Sequence, residues 1–146
     1  MEKILNVWIM NDSGICLFNQ AKSSTLQDEN LFTGFLSSIQ VFLKSIGEEK
    51  IKSLAMGEHK FTFCNLEEPN LIIVVKSERN IKGRFIARKI KDIREKFLKK
   101  YGQLLHKYQE HSLLLDLRIF DDFNEDLSDI LTNKIESNMS AWIKVV

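Results

Sequence analysis

Two short, almost continuous apolar stretches stand out along the chain. The first covers residues 4–10, and the second covers residues 71–75 and is rich in β-branched side chains. Apolar runs of this length without alternation are typical of strands that are covered on both faces. We therefore predict two inner strands of one sheet, and we expect them to be neighbours.

Turn-forming residues next to other apolar stretches predict two β-hairpins. Residues 11–14 are Asn-Asp-Ser-Gly and separate the first strand from an apolar stretch at 15–18. A Gly57-Glu58 turn separates residues 51–56 from residues 59–65. Glycine in such turns readily adopts the positive φ that tight hairpins require. The sequence thus predicts five strands.

Apolar residues at spacings of three and four predict three helices. The first follows Asp28 and Glu29, whose charges suit a helix N-terminus, and ends near Gly47. The second is predicted over residues 81–101 with Gly102 as a stop signal, and the third over residues 121–136. The stretch at 113–120 is ambiguous, because alternation there runs directly into helical spacing. The three apolar stripes are Leu31, Phe32, Phe35, Leu36, Ile39, Phe42, Leu43 and Ile46; Ile86, Ile90, Ile93, Phe97 and Tyr101; and Phe120, Phe123, Leu127, Ile130 and Leu131.

The element order β-β-α-β-β-β-α-α predicts an α+β fold with a five-stranded, mostly antiparallel sheet. Because its inner strands must be covered on both faces, we expect the first helix on one face and the C-terminal helices on the other. A chain of 146 residues has the length of one domain. We assign residues 1–136 to this domain and residues 137–146 to a C-terminal tail.

The composition is that of an ordinary globular protein, with 44% hydrophobic and 28% charged residues. No apolar run approaches the roughly 20 residues of a membrane span, and the apolar stretch near Met1 is too short for a secretory signal. Cys16 and Cys64 lie in apolar stretches without a CxxC pair, which favours buried free thiols in a reducing compartment. These features predict a cytoplasmic protein.

Motifs for catalysis and for metal binding are missing from the sequence. There is no Walker loop, GxGxxG motif or nucleophile elbow. His106 and His111 are about 140° apart on a helix and would not share a metal. The acidic run of the third helix lacks the glycine and the closing glutamate of an EF-hand, and we expect these acids on its outer face. We predict a chain that is not an enzyme and has no cofactor, metal or catalytic residue.

The second helix is strongly basic. Residues 82–100 hold nine Lys or Arg against Asp92 and Glu95. Four bases fall on one arc opposite the apolar stripe and are candidates for contact with an anionic surface, the alternative being a merely solvated face. No exposed aromatic side chains are interleaved with the bases, so we do not expect nucleic acid as a partner. The four bases are Arg84, Arg88, Lys91 and Lys99.

The first helix is unusual because its outward positions carry one charge, that of Lys44. Solvated helix faces are normally rich in charge, whereas the cores of protein interfaces are depleted of it. We therefore predict that another chain docks on this face. The alternatives are that the tail, with Trp142 and Ile143, folds across it, or that the face is uncharged without a partner. The predicted interaction residues are Gly34, Ser37, Ser38, Val41 and Ser45.

The chain resembles the longin domains, profilin-like modules of trafficking proteins. The resemblance rests on the element order, on the Leu-Phe-Thr-Gly-Phe-Leu-Ser-Ser-Ile segment at 31–39 and on the turn at 11–14. Residues 115–131 are also similar to the small subunits of clathrin adaptors. The related roadblock fold carries its extra helix at the start of the chain, whereas here the helices accumulate at the end.

The resemblance implies a non-catalytic module of vesicle trafficking. Such a module docks small Ras-like GTPases, subunits of trafficking complexes, or a second chain as a homo- or heterodimer through the first helix. One alternative is a peripheral membrane adaptor that binds anionic lipid through the basic second helix. Another is a small-molecule sensor or an enzyme on a profilin-like scaffold.

Overall fold

The computed structural model describes residues 4–11, 15–20, 34–36, 38–39, 41, 53–66, 70–111 and 116–132. In this part of the chain an open five-stranded sheet is combined with three α-helices and one 3-10 helix, which confirms the predicted α+β class. The strands lie in the order β2-β1-β5-β4-β3, and each neighbouring pair is antiparallel. Their bounds are β1 (Ile4–Asn11), β2 (Cys16–Asn19), β3 (Ser53–Met56), β4 (His59–Leu66) and β5 (Leu71–Glu78).

The two apolar runs form neighbouring inner strands, as predicted. Ile9 of β1 is opposite Ile73 of β5, and the pairing continues along most of both strands. Both hairpins are also confirmed as strand pairs, β1 with β2 and β3 with β4. Gly57 has a φ of 63°, the left-handed conformation expected in the tight turn before β4. The turn residues 12–14 lie outside the described residues.

Helices cover the sheet on both faces. Helical backbone is described at residues 34–36, 38–39 and 41 (α1), in α2 (Gly83–His111), in a 3-10 helix (Leu117–Asp122) and at residues 123–132 (α3). Because strand side chains alternate in direction, β1 and β5 contribute to two separate apolar clusters. Leu36 of α1 packs with one of them, and the apolar stripes of α2 and α3 pack with the other. The predicted placement of the helices is thus confirmed.

The second helix is longer than predicted, because it continues through Gly102 to His111. Gly102 was expected to end the helix. Leu105 follows Tyr101 by four residues and extends the apolar stripe. It is 3% exposed and belongs to the same cluster as Tyr101. Burial of Leu105 outweighs the cost of about 1 kcal/mol that a glycine imposes inside a helix.

The third helical region begins earlier than predicted and in a different form. In the described part of the ambiguous stretch, residues 117–120 belong to the 3-10 helix, with Asp116 as its N-cap. The Asp116 carboxylate accepts a hydrogen bond of 3.0 Å from the backbone N–H of Arg118. The tighter turn brings Phe120 and Phe123 together into the core against Phe97 and Tyr101.

Further sequence predictions fall outside the described residues. They are the start of the first helix after Asp28 and Glu29, its end near Gly47, the end of the third helix at residues 133–136, and the tail at 137–146 with Trp142 and Ile143. The alternative in which this tail covers the first helix therefore stays a prediction.

Candidate docking surface

The first helix is anchored to the sheet through Leu36, whose side chain is 1% exposed. Leu36 shares its cluster with Trp8 of β1 and Phe61 of β4, whose ring centroids are 6.1 Å apart. Since successive helix residues are about 100° apart, this anchor determines which positions of α1 point away from the sheet.

The outward side of α1 carries no charge among the described residues. Phe35 is 55% and Val41 is 60% exposed, and Ser38 is exposed as well. The Ser38 Oγ donates a hydrogen bond of 2.9 Å to the carbonyl oxygen of Gly34, so this hydroxyl is satisfied within its own helix. The side thus presents two large apolar side chains and little polarity. We call Gly34, Phe35, Ser38 and Val41 the α1 face.

The structure places part of the predicted interaction set on this face and adds one residue. Ser38 and Val41 are exposed and Gly34 is half-buried, whereas Ser37 and Ser45 lie outside the described residues. Phe35 was predicted to be buried with the apolar stripe, and this was wrong because Leu36 occupies the inward position. An exposed aromatic side chain in uncharged surroundings is typical of an interface anchor.

Among the described strands, β3 forms one edge of the sheet and β2 forms the other. Within the described part of the chain β3 pairs with β4 alone, and three of its four residues are exposed. Its sequence, Ser-Leu-Ala-Met, contains no charge and no proline, although proteins commonly use both to protect exposed edges. The opposite edge is covered: all four residues of β2 are buried, and Phe18 packs edge-to-face on Phe123 at 5.3 Å.

The exposed apolar side chain of β3 points to the same side of the sheet as α1. Leu54 is opposite Phe61, and Phe61 shares a cluster with Leu36 of α1. Met56 follows Leu54 by two residues, so it projects from the same face, and it is 44% exposed. We call the α1 face together with β3 the docking surface.

Gly34 tests whether the residues of the α1 face are those that give the highest free energy of unfolding. A Cβ added at Gly34 would meet no atom within 4 Å, and its φ is not positive. Gly34→Ala should therefore raise the free energy of unfolding by about 0.5–1 kcal/mol, because alanine is the better helix former. Urea denaturation measures the change.

Gly57→Ala is the matched control for this substitution. Gly57 has equal space around it but a φ of +63°. We expect Gly57→Ala to lower the free energy of unfolding by about 1 kcal/mol, since a left-handed residue with a Cβ is strained. Changes of the same sign at both glycines would contradict the assignment of Gly34 to an unstrained, open helix position.

The basic residues of α2 divide into two groups by their position around the helix. Lys89, Lys96 and Lys100 lie on the flank that packs against α3. Lys89 is buried, and its Nζ donates a short hydrogen bond to the carbonyl oxygen of Ile130 in α3. The sequence had given no reason to separate Lys89 from the other bases.

Lys96 and Lys100 both approach the carboxylate of Asp126, at 3.9 Å and 2.7 Å. The hydrogen bond to Asp126 raises the pKa of Lys100, and burial raises the pKa of Tyr101 beside it. A raised lysine pKa means that this bond stabilises the fold at neutral pH and is lost as the pH rises through the pKa of Lys100. Asp126 is thereby engaged in holding α3 on α2.

The second group is the predicted anionic-surface set. Arg84, Arg88, Lys91 and Lys99 are all exposed. None of the four forms an ion pair with another residue that the structure describes. We call these four residues the basic arc.

Little else among the described residues resembles a reactive centre. In this part of the chain no three His, Cys, Asp or Glu side chains are grouped to hold a metal ion. Cys16 is buried and Cys64 is half-buried, and neither forms a disulfide with a described residue. None of the helices described here is sufficiently long and apolar to cross a membrane.

No protein-family model matches this chain, and no curated protein sequence matches it either. The fold and the two surfaces are therefore the features that bear on function.

Proposed function

We propose that this chain is a non-catalytic protein-interaction module of the longin type, which docks small Ras-like GTPases or other trafficking and regulatory proteins. The observation that carries the proposal is the docking surface: in the described part of the chain, an uncharged helix face lies on the same side of the sheet as the apolar side chains of the edge strand β3. The proposal places the chain in the cytoplasm, at the periphery of membranes, without a cofactor.

The exposure of the docking surface supports this proposal. Leaving Phe35, Val41 and Met56 in water forfeits about 25 cal/mol for each Å² of apolar area that could be buried. Large apolar side chains in uncharged surroundings are characteristic of the centre of an interface. A partner that covers this side would bury all three.

The open edge supports a specific mode of docking. Among the described strands β3 has a neighbour on one side only, so the hydrogen-bonding groups of its outer side face no other described strand. An extended segment or an edge strand of a partner adds to such an edge through main-chain hydrogen bonds, while side-chain contacts supply specificity. In this mode the partner pairs with β3 and packs against the α1 face.

The proposal is tested by calorimetric titration of the whole chain with a panel of Ras-like GTPases, each loaded with GDP or with a GTP analogue. We expect saturable binding that depends on the nucleotide with at least one member. Ser38→Arg places a long, charged side chain on the α1 face and should weaken that binding more than tenfold. Binding that is indifferent to Ser38→Arg would contradict the use of this surface.

A second copy of the chain, or a related chain, is an alternative occupant of the same surface. Light scattering distinguishes these cases, because a homodimer has twice the mass of the chain and dissociates on dilution. A dimer that Ser38→Arg converts to a monomer would assign the docking surface to self-association instead of a GTPase.

A further inference from the structure

The basic arc lies on the opposite side of the molecule from the docking surface. The apolar stripe of α2 packs on the face of the sheet that α1 does not cover, and the arc is opposite that stripe on the helix. The arc therefore points away from the sheet, and the α1 face points away from it in the other direction. As far as the described residues show, a ligand on one surface would not touch the other.

The bases of the arc differ from those of the neighbouring flank in their contacts with the described residues. Its four bases are exposed and make no ion pair with the described residues, whereas Lys89, Lys96 and Lys100 on the neighbouring flank all contact α3. The flank bases are sufficient to explain the structural use of positive charge on α2.

One residue of the arc, Arg84, is placed against the preference of its own helix. Lys82 and Arg84 flank the first residue of α2, and the first turn contains no acidic residue. The N-terminal end of a helix carries partial positive charge and favours acids. Arg84 at this end costs stability, which indicates that it serves another purpose.

We propose that the basic arc binds the anionic surface of a lipid bilayer. It extends over residues 84–99, about 22 Å of helix at roughly 1.5 Å per residue. Among the described side chains of residues 83–108, one large apolar side chain is exposed, that of Leu104. It lies outside the arc. Protein interfaces have apolar centres, so a row of two arginines and two lysines without an apolar anchor fits the diffuse charge of acidic headgroups better.

Glu95 makes the attraction moderate and offers a gain-of-function variant. It is exposed and lies within the arc between Lys91 and Lys99. Each base close to an anionic membrane strengthens binding by about fivefold. Replacing the acid by a base should therefore strengthen binding by at least about fivefold.

The experiment is vesicle flotation of the whole chain at low salt. One set of vesicles contains equal amounts of phosphatidylserine and phosphatidylcholine, and the other contains phosphatidylcholine alone. We expect the chain to float with the acidic vesicles and not with the neutral ones, and to be released by salt, which screens charge. Equal flotation with both sets, or none with the acidic set at low salt, would overturn the proposal.

Three variants assign the binding to the arc. Arg84→Glu with Arg88→Glu should reduce binding at least roughly 30-fold, and the acid at position 84 suits the helix start, so the fold is retained. Glu95→Lys should strengthen binding. Lys107→Glu with Arg118→Glu changes the net charge equally outside the arc, where Arg118 is 86% exposed, and should alter binding less than about twofold.

Loss of binding to the same degree in both double variants would attribute flotation to net charge and overturn the proposal. In another outcome, the chain is retained on immobilised polyglutamate, Arg84→Glu with Arg88→Glu abolishes this retention, and the chain does not float with acidic vesicles. That outcome would assign the arc to an acidic protein and would also overturn the proposal. Neither outcome depends on whether the docking surface binds a GTPase.

Discussion

Phe123→Ala is expected to lower the free energy of unfolding by about 3–5 kcal/mol. Phe123 is fully buried, and its ring packs edge-to-face on Phe97 at 5.1 Å and on Phe18 at 5.3 Å. It therefore joins α3 both to α2 and to the covered edge strand β2. Truncation leaves a cavity at this junction and removes three-way aromatic packing.

Urea denaturation followed by circular dichroism measures this loss, and Phe35→Ala is the matched control. The same side chain is removed, but Phe35 is 55% exposed, so we expect a change below about 1 kcal/mol. A loss of 3–5 kcal/mol is a large part of the free energy of unfolding of a typical domain, which is roughly 5–15 kcal/mol. Phe123→Leu therefore provides a milder variant that still folds. Equal losses of unfolding free energy for Phe123→Ala and Phe35→Ala would show that Phe123 is not buried or that Phe35 is not exposed.

Val41→Glu is expected to weaken docking by at least about 2 kcal/mol, which is roughly 30-fold in the dissociation constant. Val41 is 60% exposed in the free chain, so glutamate is hydrated there and the fold is not disturbed. In the docked state the carboxylate would lose water without gaining a partner, and this penalty falls on the complex alone. Calorimetric titration with the bound GTPase, or dilution of a dimer, measures the loss.

Leu104→Glu is the matched control for Val41→Glu. Leu104 is also an exposed apolar residue in a helix, at 36% exposure, but it belongs to α2 on the other face of the sheet. The control should bind within about twofold of the unmodified chain, because surface changes remote from an interface have small effects. If both glutamates weaken docking equally, the α1 face is not the site.

The strands and the layer arrangement were predictable because their signals are local. The runs at 4–10 and 71–75 each need cover on both faces, and that requirement alone places helices on either side of the sheet. The order of turns and apolar stripes then determined the element order.

The errors in the helices arose where distant contacts decide the outcome. Gly102 is a sound local stop signal, and it fails because Leu105 finds a place in the core. At residues 117–120 the alternation of apolar side chains is compatible with a strand. The position of Phe120 between Phe97 and Tyr101 favours a 3-10 turn, and this position depends on how α2 packs.

The candidate surface was only half predictable for a similar reason. A low charge density is visible in the sequence, and it identified Ser38 and Val41. Whether β3 is an edge strand depends on the order of all five strands, and that order is not a local property. Likewise, Lys89 cannot be told apart from Arg88 in the sequence, because their difference is the position of Ile130 in α3.

The central claim is that the α1 face and β3 together form the site where another protein docks. Amide hydrogen exchange, compared between the chain alone and the chain saturated with the partner that the titration identifies, tests this most directly. We predict slower exchange at Ser53–Met56 and at the described α1 positions, with no change along Gly83–His111. Protection confined to α2, with unchanged exchange in β3, would contradict the account.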